Sequence, residues 1–176
     1  LGRTLVNVLG ANPRYDILPL GREELDVTDE DATRRVIRSA APDAVIYAAA
    51  YTSVDQAEAE PEAAYRVNAF GVRNAAAAAE EMRSKFLYVS TDYVFDGRGR
   101  TPYLEFDELN PLSVYGKSKK AGEFFAQTLC SRFFIVRTSW LYSEYGKNFV
   151  KTMLDLAEKR SRLNVVHDQT GSPDRK

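Results

Sequence analysis

The sequence is poor in the residues that carry metal, redox or disulfide chemistry. Among its 176 residues are one cysteine, one histidine and two methionines. The lone Cys130 excludes an internal disulfide, which is typical of the reducing cytoplasm, and its apolar surroundings predict a buried thiol. The lone His167 has no neighbours at the spacing of metal ligands. We therefore expect no metal site, and a structural or rim position for His167.

Long apolar runs and a surplus of one charge are also missing. No stretch approaches the roughly 18 apolar residues of a transmembrane helix. The first residues lack the apolar core of a signal peptide. The chain has 24 basic and 25 acidic side chains, interspersed along its length, which excludes a basic field for nucleic acid. With 44% apolar residues, we predict a globular cytoplasmic protein that binds neither membranes nor nucleic acid.

The sequence does contain a regular alternation of short apolar runs and helical patterns. The apolar runs are continuous, which is typical of strands buried in a parallel sheet. Helices between such strands predict a doubly wound α/β fold, in which ligands bind beyond the carboxyl ends of the strands. Predicted strands cover 15–20, 43–50, 85–90, 133–139 and 163–166, and predicted helices cover 28–40, 60–82, about 112–130 and 147–160.

Two of the helical segments have recognisable features at the sequence level. Thr28 or Asp29 is expected to cap the helix 28–40, with acidic residues in its first turn. The opening residues "LGRTLVNVLG" carry apolar side chains at helical spacing, so we predict an amphipathic helix there, without an initiator methionine.

Tyr115 and Lys119 lie four residues apart in "SVYGKSKKAGEF", and residues at this spacing share one face of a helix. An ammonium beside a phenol lowers the pKa of the phenol towards neutrality, as an acid catalyst requires. The spacing alone favours a simpler interpretation, a half-buried tyrosine beside a solvated lysine. Thr91 follows the strand "KFLYVS", where a hydroxyl either polarises a bound carbonyl group or satisfies a turn. In a doubly wound chain, the combination of Thr91, Tyr115 and Lys119 is a far more specific sign of a catalytic site than either feature alone.

Seven stretches, in order along the chain, carry a resemblance to a known family. They are "LGREELDVTD", "AAAYTSVDQAE", "VNAFGVRNAA", "VSTDYVFDG", "NPLSVYGKSKKAGE", "RTSWLY" and "VVHDQTGSP". Over nearly its whole length the chain resembles the extended short-chain dehydrogenase/reductase family, and within it the branch of dTDP-4-dehydrorhamnose reductases.

The resemblance implies NADPH-dependent reduction of the C4 keto group of dTDP-4-dehydrorhamnose to dTDP-L-rhamnose. Tyr115 would give a proton to the C4 oxygen, and Thr91 would hold that oxygen. Lys119 would lower the pKa of Tyr115 and bond the nicotinamide ribose. Asn68 would occupy the family's helix-asparagine position, or simply bond the backbone. The hydride would come from the cofactor, because no side chain supplies one.

The resemblance also implies a cofactor surface and a substrate surface. Arg22 follows the predicted strand 15–20, which corresponds to the second strand of the family. An arginine there accommodates a 2′-phosphate, which favours NADPH, although the acidic Glu23 and Glu24 come next and leave NADH as the alternative. The cofactor-binding residues implied are Gly2, Arg22, Asp26, Val27, Ala48, Ala49, Ala50, Tyr51, Thr52, Tyr115 and Lys119. The substrate-binding residues implied are Thr52, Val54, Asp92, Tyr93 and Trp140.

Two other functions remain open at this point. A different nucleotide-sugar reductase or epimerase would share the chemistry of tyrosine and lysine. A non-catalytic subunit of the kind that regulates methionine adenosyltransferase has a similar fold, but has no need of Thr91, Tyr115 and Lys119 as a set. The resemblance also allows a homodimer.

The start of the chain matches only the end of the family's glycine fingerprint, at Leu1 and Gly2. We therefore expect a piece of a longer reductase that lacks the first strand and most of the substrate lobe. Such a piece would bind NADPH poorly, because the missing glycines let the backbone approach a pyrophosphate. The expected domain is one dinucleotide-binding domain over 1–176, with the substrate lobe beginning near 140–176.

Overall fold

A computed structural model describes residues 1–166, 169 and 171–173 of the chain. His167 lies outside the described residues. The chain divides into two compact units, a larger one of Leu20–Arg137 and a smaller one that combines Leu1–Pro19 with Thr138–Lys176. The single domain expected over 1–176, with a lobe starting near 140, stays a prediction.

A three-stranded sheet organises the larger unit. Its strands are β1 (Ala44–Tyr47), β2 (Lys85–Thr91) and β3 (Phe133–Thr138), in the order β1-β2-β3. β1 runs parallel to β2, with Tyr47 opposite Tyr88. This arrangement confirms the predicted α/β class with a parallel sheet, and it confirms three of the predicted strands. β1 is shorter than predicted, so residues 48–50 form a loop at its carboxyl end.

Two predicted strands are wrong, because 15–20 and 163–166 form no strand. A strand exists through the ladder it makes with a neighbour, and an apolar run does not say whether a neighbour is present. Within the described residues neither segment joins the sheet. Leu18 is 61% exposed and Val166 is 69% exposed, so neither belongs to a core.

Helices α2 (Glu30–Ala40), α5 (Gly71–Glu81) and α6 (Val114–Leu129) pack side by side in the larger unit. Asp29 caps α2, because its carboxylate accepts a hydrogen bond from the N–H of Ala32 at 2.9 Å, and it is one of the two predicted caps. Two short helices, α3 (Val54–Ala59) and α4 (Pro61–Tyr65), precede α5, and α3 was not predicted.

The predicted helix over 60–82 is present but not regular. Between α4 and α5, residues Arg66–Phe70 form a π turn, in which the N–H of Gly71 donates to the carbonyl oxygen of Arg66. Such turns insert an extra residue into a helix and are frequent at functional sites. The alanine-rich stretch that follows is almost entirely buried, because small side chains let α5 approach its neighbours closely.

The core of the larger unit lies between these helices and one face of the sheet. Tyr47, Phe86 and Tyr88 project from β1 and β2 into it. The rings of Tyr47 and Tyr88 meet edge to face at 5.9 Å, a favourable aromatic arrangement. Cys130 is 1% exposed in the same cluster, which confirms the predicted buried thiol.

The smaller unit contains α1 (Gly2–Gly10), which confirms the amphipathic helix predicted at the start, and α7 (Phe149–Lys159). The Asn7 amide donates to the Tyr145 hydroxyl at 2.9 Å. Asn148 caps α7 by accepting from the N–H of Lys151 at 3.1 Å. Among all residues that the structure describes, no helix combines the length and apolar character needed to cross a membrane.

Candidate active site

Thr91 is the last residue of β2 and is 6% exposed. Its hydroxyl donates to a carboxylate oxygen of Asp92 at 3.0 Å and accepts from the N–H of Tyr93 at 3.3 Å. Asp92 and Tyr93 form a 3₁₀ turn with Val94, and Tyr93 is 40% exposed. The hydroxyl that was predicted at the strand tail is therefore fixed in place beside an accessible tyrosine.

Tyr115 is the second residue of α6, which starts where the hydroxyl of Ser113 accepts from the N–H of Gly116 at 3.1 Å. The half-buried Tyr115 ring meets Tyr93 edge to face at 5.6 Å. Burial raises the pKa of Tyr115, while a hydrogen bond with Thr91 acts in the opposite direction. The structure thus brings Thr91 and Tyr115 together, although they are far apart in the sequence.

Lys119 lies one helical turn after Tyr115 and is only 2% exposed. Its Nζ donates to the carbonyl oxygen of Val89 at 2.6 Å and lies 4.2 Å from the centre of the Tyr88 ring. Burial lowers the pKa of Lys119 from 10.5 to about 7, and Glu123 opposes that change. The interpretation as a solvated surface lysine is therefore wrong. The lowering of the Tyr115 pKa by Lys119 stays a prediction.

Glu123 is a buried carboxylate that the sequence analysis missed. It is 1% exposed, accepts from the Ser90 hydroxyl at 2.5 Å, and forms a two-pronged ion pair with Arg137 at 2.9 and 2.7 Å. The available signal was its spacing, four residues after Lys119, which puts both side chains on one face of α6.

Asn68 tethers the tail of β1 from inside the π turn. Its carboxamide accepts from the N–H of Tyr51 at 2.9 Å and donates to the carbonyl oxygen of the same residue at 3.0 Å. It also donates to the Ser118 hydroxyl on α6 at 3.0 Å. Asn68 therefore bonds the backbone of Tyr51, and the same side chain connects the loop after β1 to α6.

The segment after β1 begins with three alanines and is largely exposed. Ala48 is half-buried, while Ala49 and Ala50 are exposed. Tyr51 follows; its backbone N–H is bonded to Asn68, and its hydroxyl donates to Glu60 at 3.0 Å. The exposed Thr52 precedes α3, whose first residue is the half-buried Val54.

Arg22, Asp26 and Val27 precede α2. The Asp26 carboxylate accepts from both the N–H and the hydroxyl of Thr28, at 2.9 and 2.8 Å, and these bonds lower the pKa of Asp26. The positive charge of the exposed Arg22 lowers it further. The carbonyl oxygen of Val27 accepts from Asn74 of α5 at 3.1 Å, which anchors this loop to the helix layer.

Two predicted site residues belong to the smaller unit. Gly2 is the exposed first residue of α1. Trp140 is 46% exposed and has a φ of +46°, a left-handed conformation that is uncommon for a large side chain. A Cβ atom added to Gly171 would lie 3.2 Å from the Trp140 ring, so a glycine there leaves room for the indole.

Comparison with known proteins decides the family. The sequence model of the RmlD substrate binding domain family matches residues 1–175. The chain belongs to this family. A relative from Aggregatibacter actinomycetemcomitans, named dTDP-4-dehydrorhamnose reductase, is 53% identical over 173 residues, 98% of this chain and 59% of the relative. An Escherichia coli relative of the same name is 47% identical over 148 residues, 84% of this chain and 50% of the relative.

Solved structures of RmlD-family relatives share the fold. A dTDP-4-dehydrorhamnose reductase from Clostridium acetobutylicum matches with a TM-score of 0.96 and 42% identity, covering 99% of this chain and 61% of that one. The Bacillus anthracis reductase, solved in complex with NADP, matches with a TM-score of 0.95 and 47% identity, covering 99% of this chain and 62% of that one. The chain thus spans between half and two thirds of the length of these relatives.

Proposed function

We propose that the protein reduces the C4 keto group of dTDP-4-dehydrorhamnose to give dTDP-L-rhamnose, with NADPH as the reductant. The observation that carries this proposal is the meeting of Thr91, Tyr115 and Lys119 at the carboxyl end of β2. The relatives named dTDP-4-dehydrorhamnose reductase support the choice of substrate.

The roles of the three residues follow from their surroundings. The Tyr115 phenol is protonated at neutral pH, because burial raises its pKa, and it would give that proton to the C4 oxygen. The charge of Lys119 would ease the transfer by lowering that pKa when the site is occupied. The fixed Thr91 hydroxyl holds the same oxygen. Lys119 would supply a positive charge beneath the site and would bond the nicotinamide ribose, as the resemblance implies. The nicotinamide supplies the hydride when bound.

The cofactor surface fits a dinucleotide. Ala49 and Ala50 are exposed at the carboxyl end of β1, where doubly wound folds bind nucleotides, and Asn68 keeps that loop in place. Arg22, which is exposed before α2, would hold the 2′-phosphate. The complex of the Bacillus anthracis reductase with NADP supports NADPH over NADH.

The remaining site residues complete the proposal. Asp26 and Val27 would contact the adenine, and Ala48, Tyr51 and Thr52 would contact the rest of the cofactor. The sugar nucleotide would be held by Thr52, Val54, Asp92, Tyr93 and Trp140. Gly2 would lie at the pyrophosphate.

The decisive experiment follows NADPH oxidation by the purified protein with dTDP-4-dehydrorhamnose. We expect Tyr115→Phe to lower kcat by about two to four orders of magnitude, the usual contribution of a general acid. Tyr103→Phe is the matched control, because its hydroxyl bonds Asp96 in an exposed loop, and it should keep wild-type kcat. Equal rates for wild type and Tyr115→Phe, both measurable above the rate without enzyme, would refute the catalytic role.

Product analysis separates reduction from epimerisation. A reductase consumes one NADPH for each sugar nucleotide, whereas an epimerase leaves the amount of reduced cofactor unchanged. For the cofactor, Arg22→Ser should raise KM for NADPH about tenfold or more and leave KM for NADH unchanged, since only NADPH carries the 2′-phosphate. An equal change for both cofactors would place Arg22 away from the 2′-phosphate.

We also propose a cytoplasmic enzyme that acts without nucleic acid or membranes, and that assembles as a homodimer. The single buried thiol and the balanced charge support the first two statements. Light scattering of the purified protein tests the third, and a monomeric mass at micromolar concentration would exclude the dimer.

A further inference from the structure

A buried ion pair lies directly beneath the proposed catalytic residues. Glu123 on α6 accepts hydrogen bonds from Ser90 of β2 and Arg137 of β3, so one carboxylate joins three elements. The Glu123 side chain is 1% exposed and that of Arg137 is 18% exposed. Burying an ion pair seldom stabilises a fold more than apolar packing would, so stability alone does not explain why Glu123 and Arg137 are paired here.

The geometry connects this pair to Lys119. Lys119 and Glu123 occupy successive turns on one face of α6, and they reach successive residues of β2. Lys119 binds the carbonyl oxygen of Val89, and Glu123 binds the hydroxyl of Ser90. The next residue of β2 is Thr91. The placement of α6 along the end of β2 thus depends on both side chains.

We infer that Glu123 is a positioning residue for Lys119, which it holds charged and directed at the end of β2, and that Arg137 limits the strength of this effect. The inference rests on the proposed function, since it assigns Lys119 to the reaction.

The charged and titratable groups around Lys119 come from three elements. β2 contributes the Tyr88 ring and the Val89 carbonyl oxygen, and α6 contributes Glu123 and, one turn earlier, Tyr115. β3 contributes Arg137, which acts through Glu123. Burial lowers the pKa of Lys119 to about 7, and the Glu123 carboxylate raises it. Without that carboxylate, the ammonium would lose its proton below neutral pH.

Two substitutions should move the titration of Lys119 in opposite directions. Glu123→Gln removes the carboxylate and should lower the pKa of Lys119 by about one pH unit. Arg137→Gln leaves the carboxylate without its main counter-charge and should raise the pKa of Lys119. A general loosening of the fold would move both variants towards the ordinary lysine value, so the opposite signs identify an electrostatic role.

The experiment is an NMR titration of the protein with isotope-labelled lysine side chains, in which Lys119→Met assigns the resonance. Glu80→Gln is the matched control, because Glu80 is a carboxylate of the same unit that holds the backbone and hydroxyl of Ser131. It should leave Lys119 unchanged. Shifts of equal sign, or no shift in either variant, overturn the inference. If Glu123→Gln does not fold, Glu123→Asp replaces it, because the shorter side chain withdraws the carboxylate from Lys119 and should lower the pKa of Lys119, the direction opposite to that of loosening.

The pH profile of kcat provides the second readout. In Glu123→Gln the limb that reports Lys119 should move with the measured pKa of that residue, whereas a merely structural loss would lower kcat equally at every pH. Wild type without NADPH-dependent reduction would refute the proposed function, while the titration would still judge the inference. An active wild type whose Lys119 ignores both substitutions would refute the inference and leave the proposed function in place.

Discussion

Replacing Lys119 by methionine removes a buried ammonium and keeps a side chain of similar length. Burial lowers the pKa of Lys119 from 10.5 to about 7. Since one pH unit corresponds to about 1.4 kcal/mol, keeping the protonated Lys119 in the fold costs about 5 kcal/mol. The variant also gives up the 2.6 Å hydrogen bond to Val89 and the contact with Tyr88, each worth about 1 kcal/mol. We therefore expect Lys119→Met to increase the free energy of unfolding by about 2 to 3 kcal/mol near pH 6.

The sign reverses with pH because folding and proton binding are linked. Below about pH 7, Lys119 is protonated in the folded and the unfolded chain, so the fold bears the full cost. Between about pH 7 and 10.5 only the unfolded chain keeps the proton, and the stability of the wild type rises by about 1.4 kcal/mol per pH unit. By about pH 9 the wild type has recovered about 3 kcal/mol, and the advantage of the variant has disappeared.

Urea unfolding followed by circular dichroism, at about pH 6 and about pH 9, measures both values. Lys120→Met is the matched control, because Lys120 is exposed on the same helix and donates to the carbonyl oxygen of Leu109. It should change stability by less than about 0.5 kcal/mol at either pH. If Lys119→Met is less stable than wild type near pH 6, or differs from it equally at both pH values, the charge of Lys119 does not destabilise the fold.

Four further substitutions test packing and capping by thermal unfolding. Gly122→Ala should destabilise the protein by about 3 kcal/mol, because the new Cβ would overlap the carbonyl oxygen of Asn68. Gly10→Ala, where an added Cβ meets nothing within 4 Å, should be neutral or stabilise by up to about 1 kcal/mol, and equal effects would contradict the packing argument. Asn68→Ala should cost about 2 to 3 kcal/mol, because the N–H and carbonyl of Tyr51 lose their partner, and a neutral result would show that water replaces it. Asp29→Ala should cost about 1 kcal/mol through the lost cap of α2, unless Thr28 takes over that role.

Features that depend on neighbouring residues in the chain were predictable from the sequence. The cap at Asp29 and the shared face of Tyr115 and Lys119 follow from local backbone geometry, and the structure contains both. The alternation of β1, β2 and β3 with helices follows from the alternation of apolar runs with helical patterns.

Features that depend on distant partners were not predictable. Residues 15–20 have the composition of a strand, but composition does not supply a ladder partner. The spacing of Lys119 does not tell whether its long side chain turns to solvent or to the Val89 carbonyl oxygen. Nothing in the sequence around Glu123 shows that it is buried, because its partners Arg137 and Ser90 lie on two separate strands.

The π turn at Arg66–Phe70 bears on how the chain tolerates insertions and deletions. Removing one residue from the turn would restore regular α-helical bonding, but would rotate everything before it by about 100° relative to α5. Asn68 would then swing away from Tyr51, and the loop after β1 would lose its tether. A regular α-helix and a tethered loop exclude each other in this segment, so a deletion that makes the helix regular should be poorly tolerated.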